Sequence, residues 1–146
     1  MLKGLDPLLG PELLAMLRGM GHGDEIVIAD ANFPATAHGR RVVRLDGIAA
    51  PRAAQAILSV LPLDDATPEA AFRMQMPDAA DETPPVCREF EAALQAAGYD
   101  RGLAGIERHP FYARAREAYG VVATGELRLF GNLILVKGAI APEGHD

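Results

Sequence analysis

Residues 26–29 read Ile-Val-Ile-Ala, an unbroken apolar run with Glu25 before it and Asp30 after it. No polar residue alternates within the run, so neither face of this segment is suited to water. It is too short for a helix and far below the roughly 20 residues that cross a bilayer. A strand covered on both faces is what remains, and such strands belong to parallel or mixed sheets between helices. Val121-Val122-Ala123-Thr124 and Leu133-Ile134-Leu135-Val136 repeat the pattern.

The covering helices are marked by proline. Pro11 suits the first position of a helix, where its missing N–H is not needed, and Glu12 suits the positive end of the dipole. Leu13, Leu14, Leu17 and Met20 follow at helical spacing and Gly21 ends the stripe. Pro51 opens a second helix, with Ala53, Ala54, Ile57, Leu58 and Leu61 apolar and Pro62 as its stop. Pro85 opens a third, carrying Val86, Phe90, Leu94 and Ala97 up to Gly98. Pro110 opens a fourth, from Phe111 to about Tyr119, stopped by Gly120. Arg41–Leu45 reads as a strand before an Asp46-Gly47 turn, and Phe72, Met74 and Met76 alternate with Arg73 and Gln75 as a half-buried strand. Residues 32–39 and 77–85 read as loops. The expected fold is α/β: a mixed central sheet flanked by helices in three layers, one domain over 1–146, with a polar tail at 141–146.

A chain of 146 residues is the size for one core. Its 14 basic and 20 acidic residues leave a net charge of −6, which argues against a nucleic-acid partner. No apolar run is long enough to span a membrane, and the first residues lack a signal-peptide pattern. A single cysteine, Cys87, excludes an internal disulfide and a cysteine-based zinc site, and a cytoplasmic location is expected. Aromatics are only 5%, with no tryptophan, so Leu, Val, Ile and Ala must fill the core. Alanine-rich helix faces can pack closely within the chain or between chains.

Four spots could carry chemistry. His22 lies between Gly21 and Gly23, so its imidazole is unshielded by neighbours and a ligand can approach. Histidine titrates near neutral pH and suits acid/base work; the plainer alternative is a polar residue at a helix end. Asp30 ends a buried strand, where α/β sheets bind ligands; its alternative is an Asx-type turn. Arg108 offers a planar fork of donors for hydroxyls or carboxylates, or is an exposed loop residue. Phe130-Gly131-Asn132 combines close approach at the glycine with the donor and acceptor of the amide, or is a simple turn. Asp24 and Glu25 beside His22 raise a metal site, but His38, His109 and His145 lack ligand spacing, and none is expected. The glycine-rich stretch 19–23 follows a helix rather than a strand, so it is not a dinucleotide fingerprint. No Walker loop, nucleophile elbow or HExxH motif is present, and Cys87 reads as a buried inert thiol.

Longer stretches go further. Leu2-Lys3-Gly4-Leu5-Asp6-Pro7-Leu8-Leu9 and the segment Gly19 to Pro34, with its GHGDE and AD-x-x-FP core, resemble the opening of the L-fucose mutarotase and D-ribose pyranase (RbsD/FucU) family. Phe111-Tyr112-Ala113-Arg114-Ala115, Val121 to Glu126 and Gly131 to Gly138 resemble its later blocks. The likeness spans nearly the whole chain. It implies a cofactor-independent isomerase that interconverts anomers or ring forms of a free monosaccharide. It also implies a homodecameric ring with sites near subunit boundaries. His22 would be the proton donor, with Asp30, Arg108, Phe130, Gly131 and Asn132 binding sugar. Arg108 matches the fucose-type members. Phe130 departs from their tyrosine, and a lost hydroxyl contact is worth about 0.5–1.5 kcal/mol. L-fucose mutarotation is therefore the expected activity, with D-ribose pyranase-type interconversion or a non-catalytic sugar-binding ring as alternatives.

Overall fold

A computed structural model describes residues 1–144 of the chain; His145 and the end of the expected polar tail lie outside the described residues. The elements in chain order are α1 (Pro11–Gly19), β1 (Glu25–Ala29), α2 (Ala35–His38), β2 (Val42–Leu45), α3 (Ala50–Leu58), β3 (Ala71–Met74), α4 (Pro85–Ala96), β4 (Ala104–Ile106), α5 (Arg108–Glu117), β5 (Gly120–Thr124) and β6 (Leu133–Val136). The strands form one sheet in the order β2-β5-β1-β6-β3-β4. β2, β5 and β1 pair in parallel, as do β3 and β4, while β6 runs against both β1 and β3. Five strands therefore share one direction and β6 opposes them, so the sheet is mixed. In register, Ile28 lies between Val122 of β5 and Leu133 of β6.

The apolar runs take the centre of the sheet. Every residue of β5 and β6, and all of β1 after Glu25, is buried. Consecutive residues point to opposite faces, so burial of all of them requires helices on both sides. The edge strands β2 and β4 are only partly buried. The alanines of α3 settle one open point. Ala50, Ala53, Ala54 and Ala56 are fully buried within the chain, where α3 packs on α4. That face belongs to the core and not to a subunit contact.

Several elements differ from the sequence reading. The strand at 72–76 was expected to be half-buried, yet all of Ala71–Met74 is buried and it ends at Met74. Arg73 is the reason: its guanidinium is folded under the following loop, where Nη2 donates to the Ala80 carbonyl at 3.2 Å. β4 was not anticipated. Its three residues include a glycine and are held by pairing Phe72–Ala104 and Met74–Ile106, a long-range cause with no local signature. α2, a single turn inside the expected loop, likewise lacks a side-chain cap. α3 ends at Leu58 instead of Leu61. α5 begins at Arg108, ahead of Pro110, because the Glu107 carboxylate accepts the His109 N–H at 2.8 Å and caps the first turn. Arg108 is thus a helix residue and not a loop residue.

Candidate functional site

The carboxyl ends of five strands and the start of β6 meet at one edge of the sheet. Asp30 leaves β1 there and Asn132 enters β6 beside it. The Asp30 N–H donates to Asn132 Oδ1 at 2.8 Å, and Asn132 Nδ2 donates to Asp30 Oδ2 at 3.1 Å. The Asn32 N–H donates to Asp30 Oδ1 at 3.0 Å. Both side chains are buried, at 5% and 4% exposure. Burial raises the Asp30 pKa above the usual carboxylate value, and the hydrogen bonds from Asn32, Asn132, Gly131 and Phe33 only partly oppose it. These four donors match the roughly four acceptor positions of a carboxylate, so a ligand hydroxyl reaches Asp30 by sharing an oxygen with one of them or displacing it.

An open pocket of about 150 Å³ stands over this pair, lined by Asp30, Asn32, Phe33, Met74, Tyr112, Leu129, Phe130 and Asn132. Phe130 is the one non-glycine residue in the left-handed region among those described, at φ 60°. That conformation costs roughly 1–2 kcal/mol, and the surroundings hold it. Its carbonyl accepts from Cys87 Sγ at 3.6 Å. Gly131 follows because nothing larger fits: a Cβ there would lie 2.9 Å from Glu126 Cγ and 3.3 Å from Val86 Cγ2. Glu126 is buried and anchored by Arg128, with Nη2–Oε1 at 2.9 Å and Nε–Oε2 at 3.1 Å, while Arg128 also pairs with Glu89. Cys87 is fully buried, and burial pushes its thiol up to about 11, as suits a structural thiol. On the far wall Tyr112 packs on Phe33 at 5.5 Å between ring centroids and on His38 at 5.3 Å. Tyr112 and Met74 were not picked out from the sequence. A tyrosine on a helix stripe or a methionine in a strand reads as core until the fold puts it on a pocket.

His22 lies at the other edge. Its turn is closed by Gly23, at φ 88°, whose N–H donates to the Lys137 carbonyl at 2.8 Å. His22 Nε2 is 2.9 Å from Asp64 Oδ1. Asp64 is buried at 3% exposure and also accepts from the Ala66 N–H at 3.1 Å and the Thr67 hydroxyl at 3.0 Å. The hydrogen bond from His22 is the largest influence holding this carboxyl below the usual range, followed by the Ala66 N–H. An ionised carboxylate only accepts, so Nε2 carries the proton. Nδ1 makes no hydrogen bond among the described residues, and the side chain is 53% exposed. A buried acid that fixes the tautomer and leaves the other nitrogen open is the arrangement of an acid/base histidine. Sequence reasoning missed Asp64, whose only local signal is the turn-forming Asp-Asp-Ala-Thr after Pro62.

The structure thus brings Asp30, Phe130, Gly131 and Asn132 together but leaves His22 apart. β1 alone, at about 3.3 Å per residue, keeps the two edges about 13 Å apart. Arg108 is exposed at the start of α5, beyond the end of β4; it does not line the pocket, and its side chain makes no hydrogen bond among the described residues. Asp24 and Glu25 are committed elsewhere. Asp24 Oδ2 accepts the Gly21 N–H at 2.7 Å, and Glu25 pairs with Arg114 at 2.7 and 3.0 Å. Among the described residues no three His, Cys, Asp or Glu side chains gather as metal ligands.

Comparison with known proteins agrees with this fold. The profile of the RbsD / FucU transport protein family matches residues 3–140. Human fucose mutarotase is 49% identical over 146 residues, covering 96% of this chain and 95% of its own. The L-fucose mutarotase of Haemophilus influenzae is 41% identical over 139 residues, covering 94% and 96%. The crystal structure of the Streptococcus pneumoniae fucose mutarotase in complex with L-fucose superposes with a TM-score of 0.90 at 35% identity, covering 96% of this chain and all of that one. On a match that spans most of its length, the chain belongs to the RbsD / FucU family.

Proposed function

We propose that this chain is a monosaccharide mutarotase that interconverts the α and β anomers of L-fucose or a similar aldose. The observation that carries the reading is His22, anchored through Nε2 to a buried carboxylate with Nδ1 unengaged, in a chain 49% identical to a fucose mutarotase. Opening a hemiacetal ring needs a proton delivered to the ring oxygen and one removed from the anomeric hydroxyl, both general acid/base steps. The ring C–O bond breaks as the anomeric hydroxyl gives up its proton and becomes the aldehyde carbonyl, and the reverse closes the ring. With Nε2–H held by Asp64, His22 in its doubly protonated form delivers the proton from Nδ1 to the ring oxygen and recovers it there on closure, while water or Asp30 takes the anomeric proton. Asp30 and Asn132 receive and donate to sugar hydroxyls, and Phe130 and Tyr112 wall the pocket; Arg108 lies outside that lining and would meet the sugar's polar edge only from beyond the rim.

The separation of His22 from the pocket supports a working site shared between two chains. The pocket is lined by Leu129, exposed at 64%, with Leu127 two residues earlier at 83%, and the segments flanking the His22 edge carry Val60 and Ile140, at 38% and 80%. Apolar rims at opposite ends of one subunit support head-to-tail contact, which closes into rings. A homodecamer, with His22 entering a neighbour's pocket, is the assembly we propose. A cytoplasmic setting completes the reading, because the single buried thiol needs no oxidising compartment.

Saturation transfer between the two anomeric protons of L-fucose, repeated across several aldoses, tests the activity. Added exchange with the purified protein is the expected result. No added exchange with any sugar refutes it, and calorimetric binding without exchange would make the protein a sugar-binding ring. Exchange confined to the pyranose and furanose signals of ribose would assign the pyranase reaction instead.

A further inference from the structure

The carboxylate that holds His22 is itself held from outside. Asp64 begins an irregular segment that runs from the Leu63–Lys137 bridge to the start of β3. Strand β6 pins its two ends: the Asp64 N–H donates to the Val136 carbonyl at 3.0 Å, and the Val136 N–H donates to the Ala70 carbonyl at 2.9 Å. Between these ends Arg101 holds the segment. Its Nη2 donates to the Asp64 carbonyl and its Nη1 donates to the Thr67 carbonyl at 2.5 Å, so one planar guanidinium spans four residues of the segment, Asp64 to Thr67. The same span contains the Ala66 N–H and the Thr67 hydroxyl that bond the Asp64 carboxylate. The far end is tied by Tyr99, which is buried and whose hydroxyl accepts the Ala70 N–H at 2.9 Å. The Arg101 guanidinium lies over the Tyr99 ring at 4.6 Å, so the two ties brace each other. Both come from the turn that follows α4.

We infer that Arg101, braced by Tyr99, is a positioning residue for the His22–Asp64 pair. The fork fixes the distance between two carbonyls of the segment and hence the backbone from which the Asp64 carboxylate projects. That carboxylate in turn selects the Nε2–H tautomer and the direction of Nδ1. Lysine cannot replace the fork, since one ammonium on a flexible stem does not hold two carbonyls in a fixed plane. The inference rests on the proposed role of His22 in catalysis, but the ring's tautomer can be read without any sugar present.

The test compares Arg101→Ala and Arg101→Lys with the parent in the full chain. Long-range nitrogen–proton correlation spectra of His22 report the tautomer, and anomer exchange gives kcat and KM. The parent should show the Nε2–H form. Arg101→Ala should populate both tautomers and lose roughly ten- to hundredfold in kcat, with KM within about twofold, and Arg101→Lys should recover only part of either. Parent-like ring signals in a folded Arg101→Ala protein overturn the inference, and so does a loss of kcat with unchanged ring signals. Should Arg101→Ala fail to fold, Arg101→Lys and Tyr99→Phe carry the same comparison, and unchanged ring signals in both overturn it. Mixed tautomers in Arg101→Ala, together with full exchange in His22→Ala, would uphold the positioning while refuting the catalytic role of His22.

Discussion

Asp30 and Asp64 are both buried carboxylates at the rim of the same sheet, at 5% and 3% exposure, yet their environments push them in opposite directions. Asp64 faces a histidine and two further donors, and these outweigh burial, so its carboxyl stays below the usual range. Asp30 faces only neutral amides, and burial wins. In the proposed reading the difference separates two tasks. The acid that orients His22 has a partner that can carry charge, and the acid proposed to meet the sugar sits among neutral donors, where a hydrogen bond from the ligand counts for more than in water.

The strongest way to break this two-ended picture is to damage each end in a different chain. His22→Ala should lose more than about a hundredfold in anomer exchange while remaining folded, and Asp30→Ala should lose sugar binding. Co-expressed, the two variants should regain activity, because a random ring leaves roughly a quarter of the composite sites with both residues intact. No recovery in a mixed ring of verified composition would show that His22 and Asp30 do not share a site across subunits.

A smaller effect sharpens the hydroxyl side of the comparison. Phe130→Tyr adds one group to the pocket wall, and one hydrogen bond corresponds to roughly a two- to tenfold fall in KM for L-fucose. An unchanged KM would show that the Phe130 ring, and not a hydroxyl at that position, is what the sugar uses.

The smallest effect is the pH dependence of stability, followed by urea unfolding from neutral pH into the carboxylate range. Asp64 has a lowered folded pKa, so its contribution is present above the unfolded value and is lost as pH falls through the folded one. The stability difference between the parent and Asp64→Asn should shrink toward acid. Asp30 has a raised folded pKa, so its contribution is fully present below the unfolded value and is lost as pH rises through the folded one. The difference between the parent and Asp30→Asn should grow toward acid. Parallel slopes would erase the contrast between the two acids.

How much of this was legible from residues alone varies with the range of its cause. Strands β1, β5 and β6 were readable because a continuous apolar run states its own burial. The helices were readable from proline starts, although Pro110 misplaced the start of α5, where Glu107 does the capping. His22 and Asp30 stood out by local context, a glycine-flanked turn and a strand end. Asp64, Tyr112 and Met74 did not, because each looks ordinary until a distant segment comes to it. β4 was hidden for the same reason, being a strand only by virtue of β3.

By itself the sequence determined a mixed α/β sheet, the family to which the chain belongs, and which residue types are available for proton transfer and sugar contact. These depend on hydrophobic runs and on motifs a few residues long. Only the tertiary structure decided that Asn132 would lock Asp30 across 102 positions of chain and that Asp64 would take His22 across 42. It alone placed those two pairs at opposite ends of one strand. The reason is geometric: β6 enters antiparallel where β1 leaves, and no local pattern encodes which distant strand end will be the neighbour.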